Sequence, residues 1–286
     1  EAHYTGRSST IPCHPQSATH YSPLTTHYSF LAYTPLVVEI RLIGVRGVGE
    51  VRPGDEPAAL LVEAFERQGE RFQSGDVLVV TQKIVSKAEG RLVDLATVEP
   101  SDTARQLSEI SKRDPRQIEV ALRESARIVR MERGVLISET SHGFICANAG
   151  VDGSNLGSRG VVSLLPLDPD ASAERIRRGI GERTEAEVAV IISDTFGRPW
   201  RTGQTNVAIG VAGLRPLRDY RGQRDSAGQT LVVTEIAVVD ELASGAELAM
   251  GKLDRVPAAV VRGYEYESGE GRATELVRPR ELDFFR

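Results

Sequence analysis

Residues 188–201 read VAVIISDTFGRPWR, and this stretch sets the frame for the rest of the chain. The run 188–192 is apolar and strand-sized, which fits a buried strand over 187–193. It breaks off at Asp194 and Thr195, two oxygen-bearing side chains at a strand end, where ligands collect in α/β sheets. A strand followed by a helix N-cap at the same two residues is an equal reading.

Outward from that strand, the pattern is a mixture of short β segments and helices. On the C-terminal side, 230–233 is expected as a further strand and 235–250 as a helix closed by Gly251. On the N-terminal side, 171–179 reads as a helix. The segment 101–133 carries apolar residues at helical spacing (Leu107, Ile110, Ile118, Leu122, Ile128, Val129), divided or restarted by Pro115. Strands are expected at 36–42, 77–80 and 135–137, with a helix at 57–68.

Residues 1–36 differ from the body at 37–286. They hold four of the five histidines and four of the seven tyrosines, and their only charges are Glu1 and Arg7. Prolines and histidines interrupt every candidate apolar stretch, so this is read as a tail and not as a secretory signal. Apolar runs elsewhere fall far short of the ~20 residues that cross a bilayer. A net charge of −5 gives no general attraction to nucleic acid or an anionic membrane. Cys13 and Cys146 stand far apart in unlike contexts, which suits a reducing cytoplasm.

The body has one histidine, His142, and one cysteine, Cys146, so hydrolase triads and zinc sites are poorly supplied. Carboxylates, hydroxyls and arginines remain, the hard ligands and anion clamps of magnesium-assisted phosphate chemistry. Neither standard phosphate loop is present. GAELAMGKL at 245–253 spaces its glycines one residue too widely for a Walker A loop and reads as a helix C-terminus, and Gly47, Gly49 and Arg52 spoil a dinucleotide fingerprint.

Three motifs carry candidate chemistry. In ANAGVDGSNLG (147–157), Asp152 can bind a metal and Asn155 a phosphate or ribose, while an Asx-type turn between strands explains the same residues equally well. In the strand-end motif, Asp194 and Thr195 offer a second pair of hard ligands that, with Asp152, would hold one or two Mg²⁺ or Mn²⁺ ions. In QKIVSKAEGR (82–91), Lys83 and Lys87 are spaced to sit beside a phosphate, although two lysines on a helix more often only solubilise it. Residues 195–224 add six arginines against one acid, Asp219, which suits an anionic substrate; about half of them are expected to pair with structural acids.

Taken together, AGVDGSN, SDTFGRPWRTGQTN, VTEIAVVDELA and TQKIVSKAEGR closely resemble the coenzyme F420-0:L-glutamate ligases, including the amino-terminal half of the mycobacterial two-domain version. The similarity covers essentially all of 37–286. It implies an α+β fold peculiar to the family, with two intertwined sub-domains, mixed sheets and a homodimer. It also implies a reaction in which GTP activates the lactyl carboxylate of F420-0 as an acyl phosphate that the amine of L-glutamate then displaces. By resemblance, Asp152, Asp194 and Thr195 are metal ligands for Mg²⁺ or Mn²⁺, with K⁺ as an additional cation. Gln82, Lys87, Asn155 and the turn Val48, Gly49, Glu50 and Val51 are nucleotide contacts, and Glu265 is a weaker candidate metal ligand. No catalytic acid or base is assigned. The flavin-reductase-like domain of the two-domain relatives is not expected here. Two alternatives stay open: a metal- and nucleotide-dependent amide ligase or kinase acting on another carboxylate, and an inactive deazaflavin- or nucleotide-binding protein.

Overall fold

The computed structural model describes residues 39–154 and 160–283. The N-terminal stretch read as a tail and Asn155 lie outside them. In chain order the elements are β1 (Arg41–Gly44), α1 (Pro57–Arg67), β2 (Val77–Thr81), α2 (Gln82–Ala88), β3 (Leu92–Asp94), α3 (Asp102–Ser111) and α4 (Pro115–Arg123). Then follow β4 (Ser125–Glu132), β5 (Val135–Thr140), β6 (Ile145–Ala147), β7 (Val161–Ser163) and α5 (Pro169–Thr184). The last are β8 (Ala189–Arg198), β9 (Arg201–Ala212), β10 (Arg218–Asp219), β11 (Glu235–Ile236), α6 (Val238–Met250) and β12 (Ala258–Arg262). The class is α+β.

A five-stranded mixed sheet in the order β1-β12-β2-β8-β9 forms the frame. Only β2 and β8 run parallel; the other neighbours are antiparallel. Val77 to Val80 and Ala189 to Ile192 are completely buried. Successive strand residues point to opposite faces, so burial at every position means that both faces are covered. Helix α6 packs across the sheet, and α5 packs on β8 and β9 with α1 against it. Each large apolar side chain taken out of water here contributes about 1.5–3 kcal/mol. Gly210 on β9 permits the approach of α5, because a Cβ there would lie 2.5 Å from the backbone of Pro169.

A second, smaller core is built from the chain between the first and second halves of that sheet. Leu95, Val98, Val120, Ala121, Leu136, Val151, Val162 and Leu164 form it. Around it lie α3 and α4, the antiparallel sheet β4-β5-β6 and the pair β3-β7. Helix α3 is capped by Ser101, whose hydroxyl accepts from the Ala104 N–H, and α4 opens with Pro115 behind its cap Asp114.

Two expectations are corrected. The apolar spacing of Ile128 and Val129 continues a helix on paper, but these residues lie in β4, where inward and outward positions alternate one by one. Residues 230–233 are not a strand: Val232 and Val233 are exposed and the pairing segment is β11, just beyond them. The helix expected from 235 accordingly starts at Val238.

Candidate functional site

The parallel pairing of β2 with β8 sets Thr81 opposite Ser193, so α2 and the residues after Ser193 leave the sheet side by side. No helix follows Asp194. Instead β8 runs on as one arm of a hairpin with β9, which overturns the N-cap reading. The hairpin is irregular where it leaves the core: Ile192 faces Gly210 but Ser193 faces Ala208, leaving Ile209 as an extra residue on β9. The Ala208 N–H beside this bulge is taken by the Asp240 carboxylate at 2.8 Å.

Asp152 comes to the same place from the smaller core. It bridges to Ser163 through the backbone, and its side chain accepts from the Ser154 N–H at 2.7 Å, so the Asx turn is real. The turn also aims the other carboxylate oxygen at Lys83 of α2, whose ammonium donates to Asp152 Oδ2 at 2.7 Å. Burial alone would raise the Asp152 carboxyl, but Lys83 and Ser154 outweigh it and hold it below the usual carboxylate range.

Asp194 lies within electrostatic reach of Asp152, Lys83 and Lys252. Burial pushes its carboxyl up to about 6; the Asp152 charge adds to this, while the Thr195 N–H and the two lysines oppose it. Cys146 on β6 is close by. Burial, with the Asp194 charge adding, pushes its thiol up to about 12, which suits packing and not nucleophilic attack.

Thr195, one residue on, faces the other side of the strand. Its hydroxyl donates to Asn206 Oδ1 at 2.8 Å and accepts from Lys252 at 3.2 Å. Asn206 in turn donates to Glu247 of α6 at 2.9 Å. Lys252, Asn206 and Glu247 were not singled out from the sequence. The one available signal was GKL at 251–253, where Gly251, with φ of 62°, ends α6 and delivers Lys252 to the site.

The nucleotide-contact candidates divide. Lys87, four residues after Lys83 and so on the same face of α2, pairs with Glu50 at 2.5 Å, bringing two of them together. Both lysine side chains are largely buried, against the solubilising reading. Val51 is buried and Val48 packs against the core, which leaves their backbone for any contact, while Gly49 is exposed. Gln82 is buried, and its amide oxygen accepts from the Ser86 hydroxyl at 2.8 Å. A cleft of about 510 Å³ adjoins this region, lined by Gly54, Asp55, Val85, Glu89 and Arg175 among others. Neither Asp152 nor Asp194 lines it.

Of the six arginines, Arg215 pairs with Glu267, and Arg221 with Asp219 and Glu235. Arg198 donates to the Thr202 carbonyl and Arg218 stacks over Tyr220. Glu265 is exposed. His142 is structural: its Nε2 lies 3.0 Å from the Pro166 carbonyl and 3.1 Å from that of Leu167, and a carbonyl only accepts.

Among the described residues no group of three or more His, Cys, Asp and Glu side chains is arranged to hold a metal ion. Asp152 and Asp194 are nonetheless a hard, oxygen-only donor pair whose mutual repulsion a divalent cation would relieve. The rest of such a cation's shell falls to water or substrate oxygens.

The F420-0:Gamma-glutamyl ligase family model matches residues 46–263. The chain is 48% identical over 250 residues to the coenzyme F420:L-glutamate ligase of Methanothermobacter thermautotrophicus, covering 86% of this chain and 99% of that protein. The coenzyme F420:L-glutamate ligase of Methanopyrus kandleri is 45% identical over 242 residues, covering 83% and 94%. That of Methanocaldococcus jannaschii is 42% identical over 216 residues, covering 75% and 86%. Every motif that builds the site, from Glu50 to Lys252, falls inside the matched span, and the chain belongs to the F420-0:gamma-glutamyl ligase family.

Proposed function

We propose that this chain is a coenzyme F420-0:L-glutamate ligase that consumes GTP and requires Mg²⁺ or Mn²⁺. The observation that carries this reading is the convergence of Asp152 and Asp194, from two different cores, beside the ammonium groups of Lys83 and Lys252. Two carboxylates among lysines suit a site that must gather a nucleotide's phosphates and an acidic acceptor, and nearly full-length similarity to named F420 ligases supplies the substrate class.

In the proposed sequence the lactyl carboxylate attacks the γ-phosphorus of GTP, forming an acyl phosphate and releasing GDP. The glutamate amine then attacks the acyl carbon, phosphate leaves, and the amine proton passes to solvent, giving an amide. Asp152 and Asp194 are the residues that would hold a divalent cation, which would supply charge neutralisation for the phosphate oxygens. Lys87 and Lys83 add positive charge in a partly buried setting, where it is worth more than in water, and the exposed Lys252 adds a further positive charge at the rim. Positioning and charge carry this chemistry, in keeping with a body whose single histidine is tied to backbone carbonyls. The functional unit in this reading is a homodimer.

The test is mass spectrometry of F420-0 incubated with the protein, L-glutamate, GTP and Mn²⁺ or Mg²⁺, with a chelator control. Mass additions of one or more glutamyl units with GDP release, abolished by chelation, are expected. Folded protein that yields no adduct would refute the assignment.

A further inference from the structure

Lys83 spends its whole hydrogen-bonding capacity on the candidate metal site. Its ammonium donates to Asp152 Oδ2 at 2.7 Å, to the Ser154 carbonyl at 2.8 Å and to the Ser154 hydroxyl at 2.8 Å, and an ammonium has three hydrogens. The side chain is 16% exposed. It reaches from α2, on the larger core, to a turn of the smaller one, and lies within electrostatic reach of Asp194 as well.

We propose that Lys83 is an exchangeable placeholder for the divalent cation: it neutralises Asp152 in the ligand-free protein, yields that carboxylate when the cation arrives, and passes to the phosphates of the incoming nucleotide. This rests on reading the site as one for metal and nucleotide. Asp152 Oδ2 is the contested atom. It already accepts from Lys83 and from the Ser154 hydroxyl at 2.8 Å, so a cation at that oxygen displaces a donor and repels the ammonium. A lysine suits the exchange because its charge is compact and its stem flexible, whereas an arginine fork would be held more rigidly. Lys87, one turn along the same helix, is paired with Glu50 at 2.5 Å. The exchange makes metal and nucleotide binding mutually reinforcing, since each removes a cost of the other.

A fixed structural ion pair makes the opposite prediction. If Lys83 only braces the turn, its loss loosens Asp152 and weakens metal binding. If it is a placeholder, its loss removes a competitor and strengthens binding of the metal alone. The experiment titrates the full chain with Mn²⁺ alone, reading free Mn²⁺ by electron paramagnetic resonance, for wild type, Lys83→Met, Lys83→Gln and Lys83→Arg. Circular dichroism checks the fold, and Asp152→Asn is the site control. Expected is Mn²⁺ binding about tenfold tighter in the Met and Gln variants and weaker than wild type in the Arg variant, with GTP binding at saturating Mn²⁺ about tenfold weaker in Met and Gln. Equal or weaker Mn²⁺ binding in both neutral variants overturns the placeholder role alone, provided wild type binds Mn²⁺ and Asp152→Asn does not. A wild-type protein that binds no Mn²⁺, even with GTP, overturns the metal reading and this proposal together.

Discussion

Asp240 of α6 accepts a hydrogen bond from the Ala208 N–H, the donor that sits beside the extra residue of β9. That single contact ties a helix to the irregularity that sets the register of Asp194 and Thr195. Asp240→Ala leaves a buried N–H without its acceptor and is expected to cost about 1–3 kcal/mol. Asn keeps an acceptor oxygen and should cost less. Thermal unfolding of the two variants measures the difference, and equal losses would argue against the contact.

The carboxylate of Asp194 is held in a setting that disfavours its charge, through burial first and the Asp152 charge besides. Asp194→Asn is therefore expected to be no less stable than wild type while its glutamylation rate falls by at least about a hundredfold. Melting temperature and turnover, measured on one preparation, separate the two effects. An active Asp194→Asn would remove this residue from the machinery.

Arg262 and Asp76 form a two-pronged ion pair with both bonds at 2.8 Å, and Asp76 is 1% exposed. Removing the cation strands a buried carboxylate. Arg262→Met is expected to lose about 3–5 kcal/mol, and Arg262→Lys a smaller amount because one prong survives. Denaturant unfolding at neutral pH checks both.

Glu119 accepts from the hydroxyl and the N–H of Ser101, at 2.6 and 2.9 Å, and from Arg123 at 2.8 Å. Those bonds, the Ser101 hydroxyl foremost, draw its carboxyl down from 4.5 to about 2. A depressed carboxylate stabilises the fold fully above its unfolded value and ceases to do so as pH falls through the folded one. Glu119→Gln should thus be less stable than wild type by about 1 kcal/mol above pH 5, with the gap closing towards pH 2. Urea titrations at several pH values follow the gap, and a constant difference would contradict this account.

The sequence disclosed the large sheet better than the small one. The run to Ser193 and the segment 77–80 are uniformly apolar, and such runs are buried strands wherever they lie. Strand β4 hid behind a helix-like spacing because its edge position leaves Ile128 exposed, so the apolar pattern there does not report burial. Asp152, Asp194 and Lys83 were legible as chemistry-bearing residues; the parallel β2–β8 pair brings Asp194 and Lys83 together, and the Asp152–Ser163 bridge brings Asp152 to them from the smaller core. Lys252 was not legible. It follows a helix end that a near-miss phosphate loop made easy to set aside, and only the path of α6 across the sheet places it beside Thr195. The burial of Lys83 and Lys87 was equally invisible, since spacing on a helix does not say which face meets the protein.

Asp152 hangs from the smaller core, through Val151 and its bridge to β7, while Asp194 and Lys83 hang from the larger. A ligand that grips both carboxylates would therefore tie residues of the smaller core to residues of the larger, and part of its binding energy would oppose local opening of either. Amide protons in β4 and β5 would then exchange more slowly with ligand bound, although neither strand carries a site residue. Affinity for this site would be set partly by how readily the neighbouring three-stranded sheet breathes.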